Sequence, residues 1–136
     1  MANPDHLAVL RKGASTWNAW RAANPEVLPD LHRAQLQGAD LREVDFRWAD
    51  LWGANFQGTL LEKADFREAF LGYADLQGAD LRDADFENAE LTGVKVRVAL
   101  DDRIHLGGTG LVQADLKEVL GEGLRNVRFG AELRLG

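Results

Sequence analysis

Cysteine is absent from all 136 residues. That excludes a disulfide framework, a thiol nucleophile and a thiolate metal site. A positive charge balance is missing as well: 16 Lys and Arg face 22 Asp and Glu, a net charge of -6. Generic binders of nucleic acid or of anionic membranes need a basic surface, so neither partner is expected. No apolar run approaches the ~20 residues of a membrane span, and Met1–Leu10 carries Asp5 and His6 where a signal peptide would be apolar. The expectation is a cytoplasmic protein. The length suits one domain. What the chain does have, 46% hydrophobic residues, is distributed with unusual regularity.

Three blocks of twenty residues align without a gap, starting at Leu36, Phe56 and Leu76. Inside each block the unit is five residues long. Large apolar residues fall at Leu31, Leu36, Leu41, Phe46, Leu51, Phe56, Leu61, Phe66, Leu71, Leu76, Leu81, Phe86, Leu91 and Val96. Two positions before most of them stands Ala, with Val44, Thr59 and Val94 as near equivalents and Pro29 at the start. Asp or Asn often lies between the two. A period of five fits neither the 3.6 of a helix nor the 2.0 of an ordinary strand. It fits a coil whose sides are one unit long, each with one small and one large inward position.

Twenty residues then make one four-sided turn, and residues twenty apart stack at the ~4.8 Å spacing of paired strands. Phe46, Phe66 and Phe86 become one inner column, and Leu41, Leu61 and Leu81 another. Outside, Gln37, Gln57 and Gln77 align as an amide ladder of the kind that supports stacked sheets.

The stretch ADLQGADLRDADFENAEL, Ala74 to Leu91, resembles the A(D/N)LXX unit of the pentapeptide-repeat family. The resemblance covers Asp30 to Val98, about half of the chain. It implies an all-β solenoid, a right-handed quadrilateral β-helix, in agreement with the four-sided coil. GASTWNAWRAANPEVLPDL, Gly13 to Leu31, resembles the helical lead-in of many such coils, and TGLVQADLKEVLG, Thr109 to Gly121, a short helix common downstream. One domain is expected: 1–29 a helical N-terminal cap, 30–98 the coil, and 99–136 a loop, short helix and tail.

The residues at both ends support caps, which an open solenoid needs for solubility. Leu7, Leu10, Ala14, Trp17 and Trp20 form a helical stripe, broken by Gly13 and ended by Asn24-Pro25. Plugging the coil is favoured for Trp17 and Trp20 over binding a partner. At the other end Asp101 falls on a large inward position, where an unpaired carboxylate is costly. Val94, Val96, Val98 and Leu100 read as a last, more ordinary strand, and Asp101 to Gly110 as a polar loop. Val112, Leu116, Val119 and Leu120 then carry helical spacing up to Gly121, favoured over a further coil unit. Leu124 to Gly136 reads either as a terminal strand or as a contact tail, and an exposed strand there would allow a homodimer by edge pairing.

No catalytic, cofactor or metal constellation emerges. His6, His32 and His105 lie in the cap, the first unit and the loop, none with zinc or triad spacing. Asp45, Asp65 and Asp85 form a carboxylate column whose repulsion Arg47 and Arg67 can relieve; a cation site is the lesser alternative. An enzyme is not expected.

Two surface features point to binding. The net charge resides in the coil, most strongly on the side of Phe46, Phe66 and Phe86. The family resemblance implies that some members imitate duplex DNA and protect or inhibit DNA gyrase. A coil of this size is about 17 Å long at ~4.8 Å per turn, and DNA of that length carries roughly ten charges. The acids here are interrupted by Arg42, Arg47, Arg67 and Arg82, so gyrase modulation stands second. The first reading is contact with a protein partner through a prism face. Trp48, Trp52, Phe70 and Tyr73 all fall on outward positions, with Gly72 leaving room for the Trp52 indole across the next turn. They anchor the contact unless the cap or the tail covers them, and Asp45, Asp65 and Asp85 help to steer it.

Overall fold

In the computed structural model of the protein, the described residues are 1–96, 104–105, 127–129 and 133–135. Helix α1 spans Pro4–Leu10 and α2 spans Ala14–Ala23. Asn3 caps α1 by accepting from the Asp5 and His6 N–H groups, with Pro4 in the first turn. Gly13, at φ 108, turns the chain between the helices, and Asn24 closes α2.

From Asp30 onward the chain is a coil with twenty residues per turn, recorded by parallel bridges such as Asp30–Asp50, Asp50–Phe70 and Phe70–Glu90. The unit around Leu51 accounts for every backbone donor. Asp50 N–H donates back to Pro29 at 2.8 Å, Leu51 N–H forward to Phe70 at 2.8 Å, and Gly53 N–H forward to Gly72 at 2.8 Å. Ala54 N–H closes the turn on Leu51 at 3.0 Å. The remaining donor, Trp52 N–H, is taken by the Asp50 side chain at 3.1 Å. The same side-chain bond recurs at Asp45, Asn55, Asp65, Asp75, Asp80 and Asp85. This is the physical reason for Asp or Asn in the unit: a short carbonyl-bearing side chain satisfies its own turn.

The last residue of each unit carries the turn's strain. It lies at φ near +60°, as at Glu43 (62), Trp48 (64), Lys63 (59) and Tyr73 (58), or is a glycine such as Gly78 (73). A left-handed residue with a side chain costs roughly 1–2 kcal/mol, and a hydrogen-bonded turn with positive φ at its third residue favours Gly or Asn there.

The core is the stack of inward columns. Phe66 and Phe86 lie parallel with centroids 4.6 Å apart, and Phe46 meets Phe66 at 5.5 Å. Thr59, buried at a small position, satisfies its hydroxyl on the Leu36 carbonyl at 2.8 Å. Trp17 is fully buried and closes the phenylalanine column at its open end, 6.0 Å from Phe46. The plug is also polar. The first turn has no preceding turn to supply donors, so α2 supplies them. Trp17 Nε1 and Arg21 Nη1 donate to the Asp45 carbonyl at 2.7 and 2.9 Å, and Arg21 Nη2 to that of Arg47 at 2.7 Å. Asn18 bonds the Glu43 carbonyl and the Asp45 N–H. The cap thus covers a sheet edge that would otherwise invite pairing.

Beyond the coil, β1 is Ile104–His105, β2 Val127–Phe129 and β3 Leu133–Leu135. They form one sheet in the order β1-β2-β3, with β2 parallel to β1 and β3 antiparallel to β2. Two corrections follow. The segment expected as a polar loop contains β1: His105 pairs with Asp85, and Ile104 is buried in line with Val44, Ala64 and Ala84. The chain has returned to the twenty-residue register, and the buried isoleucine offers a reason that a scan for Ala or Leu misses. Val94 and Lys95 remain ordinary coil positions rather than a plain strand, with Lys95 bridged to Asp75. The helix expected over 109–121 lies outside the described residues, as do Val98 and Leu100. The tail's strand reading is met by β2 and β3.

A candidate partner-binding face

Among the described residues seven large apolar side chains are exposed: Met1, Leu28, Trp48, Trp52, Leu60, Phe70 and Tyr73. Trp52, Phe70 and Tyr73 share the side of the coil that also carries Asp30, Asp50 and Glu90. Trp48 stands at the corner leading into that side. Leu28 precedes Pro29, whose carbonyl accepts from Asp50 N–H, and so lies one turn below Trp48. Leu60 sits elsewhere, in the column of Asp40 and Asp80. The aromatics expected on this face are therefore uncovered by the cap, with Tyr73 60% and Trp48 50% exposed. Leu28 was missed because it precedes the first recognisable unit; its signal is the twenty-residue interval to Trp48.

Three of these side chains occupy positions where the unit prefers something else. Trp48 and Tyr73 take left-handed turn positions. Phe70 takes the Asp position and cannot bond its own turn. Glycines one turn ahead make room for the rings: a Cβ on Gly72 would come within 2.9 Å of the Trp52 indole, and one on Gly93 within 2.5 Å of the Tyr73 ring. Gly53 does the same for the Arg33 stem at 3.2 Å. The result is a continuous strip. The Arg33 guanidinium lies 5.2 Å from the Trp52 ring centre, and Trp52 meets Tyr73 edge to face at 5.8 Å.

Asp45, Asp65 and Asp85 lie on the adjacent side, stacked by parallel bridges. Arg47 pairs with Asp45 at 2.9 Å and reaches Asp65 at 3.7 Å; Arg67 pairs with Asp65 at 2.7 Å and reaches Asp85 at 4.0 Å. Asp45 also faces Arg21 at 3.6 Å. Burial works against ionisation of Asp45, but bonds from the Arg47 side chain and backbone, with the charges of Arg21 and Arg47, outweigh it and hold its carboxyl below the usual range. Burial likewise lowers the Arg21 guanidinium. The column is a compensated ladder of alternating charge.

Among the described residues one group, Asp30, His32 and Asp50, brings three metal-binding side chains within 4.8 Å of one another. Its spacing has meaning only in the twenty-residue register, which is why reading along the chain passes over it.

The regular ladder, the closed turns and the uncovered side define a β-helical repeat protein with one distinctive face. The Pentapeptide repeats family profile matches residues 30–67 and 61–97, with 8 copies of the unit, and the chain belongs to the pentapeptide repeat family. Membership places the coil among the right-handed β-helices. Similar solved structures include a pentapeptide repeat protein of the Arabidopsis thaliana thylakoid lumen, 39% identical over 56% of this chain and 53% of that one, with a TM-score of 0.40. This chain thus spans about half of the Arabidopsis protein. A pentapeptide repeat protein from Nostoc Pcc 7120 is 30% identical over 73% of this chain and 78% of its own, also at a TM-score of 0.40. QnrB1, a plasmid-mediated fluoroquinolone resistance protein, is 20% identical over 72% of this chain and 66% of its own, at a TM-score of 0.24, too low to carry an argument. No curated protein matches. One relative belongs to a thylakoid lumen, so membership assigns no compartment. Among the described residues no helix is long and apolar enough to cross a membrane.

Proposed function

We propose that the protein is a non-enzymatic interaction module that docks a protein partner on the side carrying Trp52, Phe70 and Tyr73, with Trp48 and Leu28 at its edge. One observation carries the reading: four large aromatic side chains stand exposed on or beside one face, Trp48 and Tyr73 at left-handed turn positions and Phe70 at the Asp position. Left-handed residues recur elsewhere in the coil, at Glu43, Lys63, Glu68, Asp83 and Asn88, so the signal is the exposed aromatic identity of this cluster and the turn bond that Phe70 forgoes. The partner that fits presents an apolar anchor ringed by basic groups. The face is edged by Asp30, Asp50 and Glu90, and its one arginine already stacks on Trp52, as a partner's arginine would stack on Tyr73. Steering by Asp45, Asp65 and Asp85 is the lesser part of the proposal, since arginines neutralise most of that column. Asp85 is its least compensated member.

The ion pairs Arg42–Asp40, Arg47–Asp45, Arg67–Asp65 and Arg82–Asp80 weigh against imitation of DNA, whose charges carry no built-in counter-ion. A partner recovered by pull-down, then purified and titrated, tests the first reading. Combined Trp52→Ala and Tyr73→Ala should weaken binding by more than about 2 kcal/mol. Unchanged affinity removes this face from the proposal, and inhibition of supercoiling by gyrase that survives the two alanines would favour the second reading.

A further inference from the structure

We propose that Asp30, His32 and Asp50 form a divalent-cation site, suited to Zn2+, where the cap meets the first two turns. Asp30 and Asp50 are bridge partners one turn apart, so their side chains stack, and His32 returns to the same side two residues after Asp30. Their ligand atoms all lie within 4.8 Å of one another, and all three residues are partly buried.

The argument is one of charge. In the neighbouring column every stacked aspartate lies within 4.0 Å of an arginine: Asp45 and Asp65 have Arg47 and Arg67 two residues on, and Asp85 has Arg67 from the turn below. In the Asp30–Asp50 pair those positions hold His32 and Trp52. Arg33, on the same side, stacks on the indole instead. Among the described residues only the imidazole reaches this carboxylate pair as a side-chain ion partner. A rule followed on one side is thus replaced on the next by a metal-ligating residue.

The hydrogen bonds orient the group. His32 Nδ1 lies 2.6 Å from Asp30 Oδ1, and Nε2 lies 2.6 Å from the Met1 nitrogen. A proton lies between Nδ1 and Asp30 Oδ1, and a cation would take its place, bound by Nδ1 and the two carboxylates, while Nε2 carries the ring hydrogen and the exposed Met1 amine moves aside. Asp50 Oδ1 accepts from Trp52 N–H, leaving its other oxygen for a cation. Asp30 Oδ1 accepts weakly from His32 N–H at 3.4 Å, and His6 Nδ1 accepts from Asp30 N–H at 3.0 Å, tying the site to the cap. One imidazole and two carboxylates favour Zn2+ over Ca2+ or Mg2+, and over Mn2+ by intrinsic affinity, with water completing the shell. The cation would clasp the first turn, the second turn and the cap segment together, at the foot of the aromatic strip.

The test is calorimetric titration of tag-free, metal-stripped protein with Zn2+, and separately with Ca2+, at neutral pH. One Zn2+ per chain and a raised melting temperature are expected. His32→Gln and Asp50→Asn should each weaken binding by roughly tenfold or more, while His105→Gln leaves it unchanged. Far-UV circular dichroism checks that the variants keep the fold, and the side chains replaced lie at the surface. Absence of saturable Zn2+ binding, binding undiminished in both variants, or Ca2+ binding as tightly as Zn2+ would each overturn the assignment. None of these readouts depends on the protein partner.

Discussion

Two adjacent sides of the same coil follow the same five-residue unit and reach opposite ends. On the side of Phe46, Phe66 and Phe86, Asp45, Asp65 and Asp85 close their turns and Arg47 and Arg67 alternate with the acids. On the next side, Asp50 gives way to Phe70 above it, arginine to Trp52, and the left-handed turn position to Tyr73. The first side is locally consistent at every level, which is what a scaffold requires. The second departs from that consistency outside while its interior, with Leu31, Leu51 and Leu71 fully buried, stays regular. A solenoid permits this because inner and outer positions alternate independently. Surface identity can change without disturbing the columns that hold the turns together.

The comparison can be broken from within. Phe66→Ala should cost about 3–5 kcal/mol, since the ring is fully buried between Phe46 and Phe86; denaturant unfolding measures it. Phe70→Ala, one unit along but outside, should change stability by less than about 0.5 kcal/mol while weakening the partner. Equal losses in the two variants would mean that Phe70 is covered and the face is structural.

A smaller effect has the opposite sign. Trp48→Gly relieves a φ of 64° and should stabilise the fold by up to about 1 kcal/mol, yet weaken partner binding. A gain in melting temperature with undiminished affinity would take Trp48 out of the interface.

The smallest effect concerns the ladder. The folded pKa of Asp45 is depressed, so its contribution is present above the ordinary carboxylate pKa of about 3.9 and lost as pH falls through the lower folded value. Arg47→Gln should therefore destabilise at neutral pH by less than about 1 kcal/mol, because the arginine is half exposed and Asp45 keeps Arg21. As pH falls below the ordinary carboxylate range, through the lowered value of Asp45, the difference should fade. Chemical denaturation at neutral and at acid pH checks it, and a deficit that is independent of pH would assign Arg47 to packing rather than to charge.

Much of this was legible in the residues. The five-residue spacing predicts the inward columns, and the Trp52–Gly72 pairing follows from an interval of twenty. The unit also marks Trp48, Phe70 and Tyr73 as departures. Other features were not legible, for identifiable reasons. Leu28 and His32 acquire neighbours only through the ladder, and Ile104 fills an alanine column with a residue outside the motif. Arg21 lies off the apolar stripe of its helix; its value lies in the Asp45 and Arg47 carbonyls of the first turn, which no preceding turn reaches.

The sequence by itself therefore determined the coil, its period and its inside, because a small and a large inward residue in every five can be buried together in only one stacked register. The tertiary structure decided which outward residues become neighbours. Stacking brings Arg33, Trp52 and Tyr73 into one strip, Asp30 and Asp50 beside His32, and the donors of α2 onto an open edge. Those contacts join residues about twenty apart, and no local propensity encodes them.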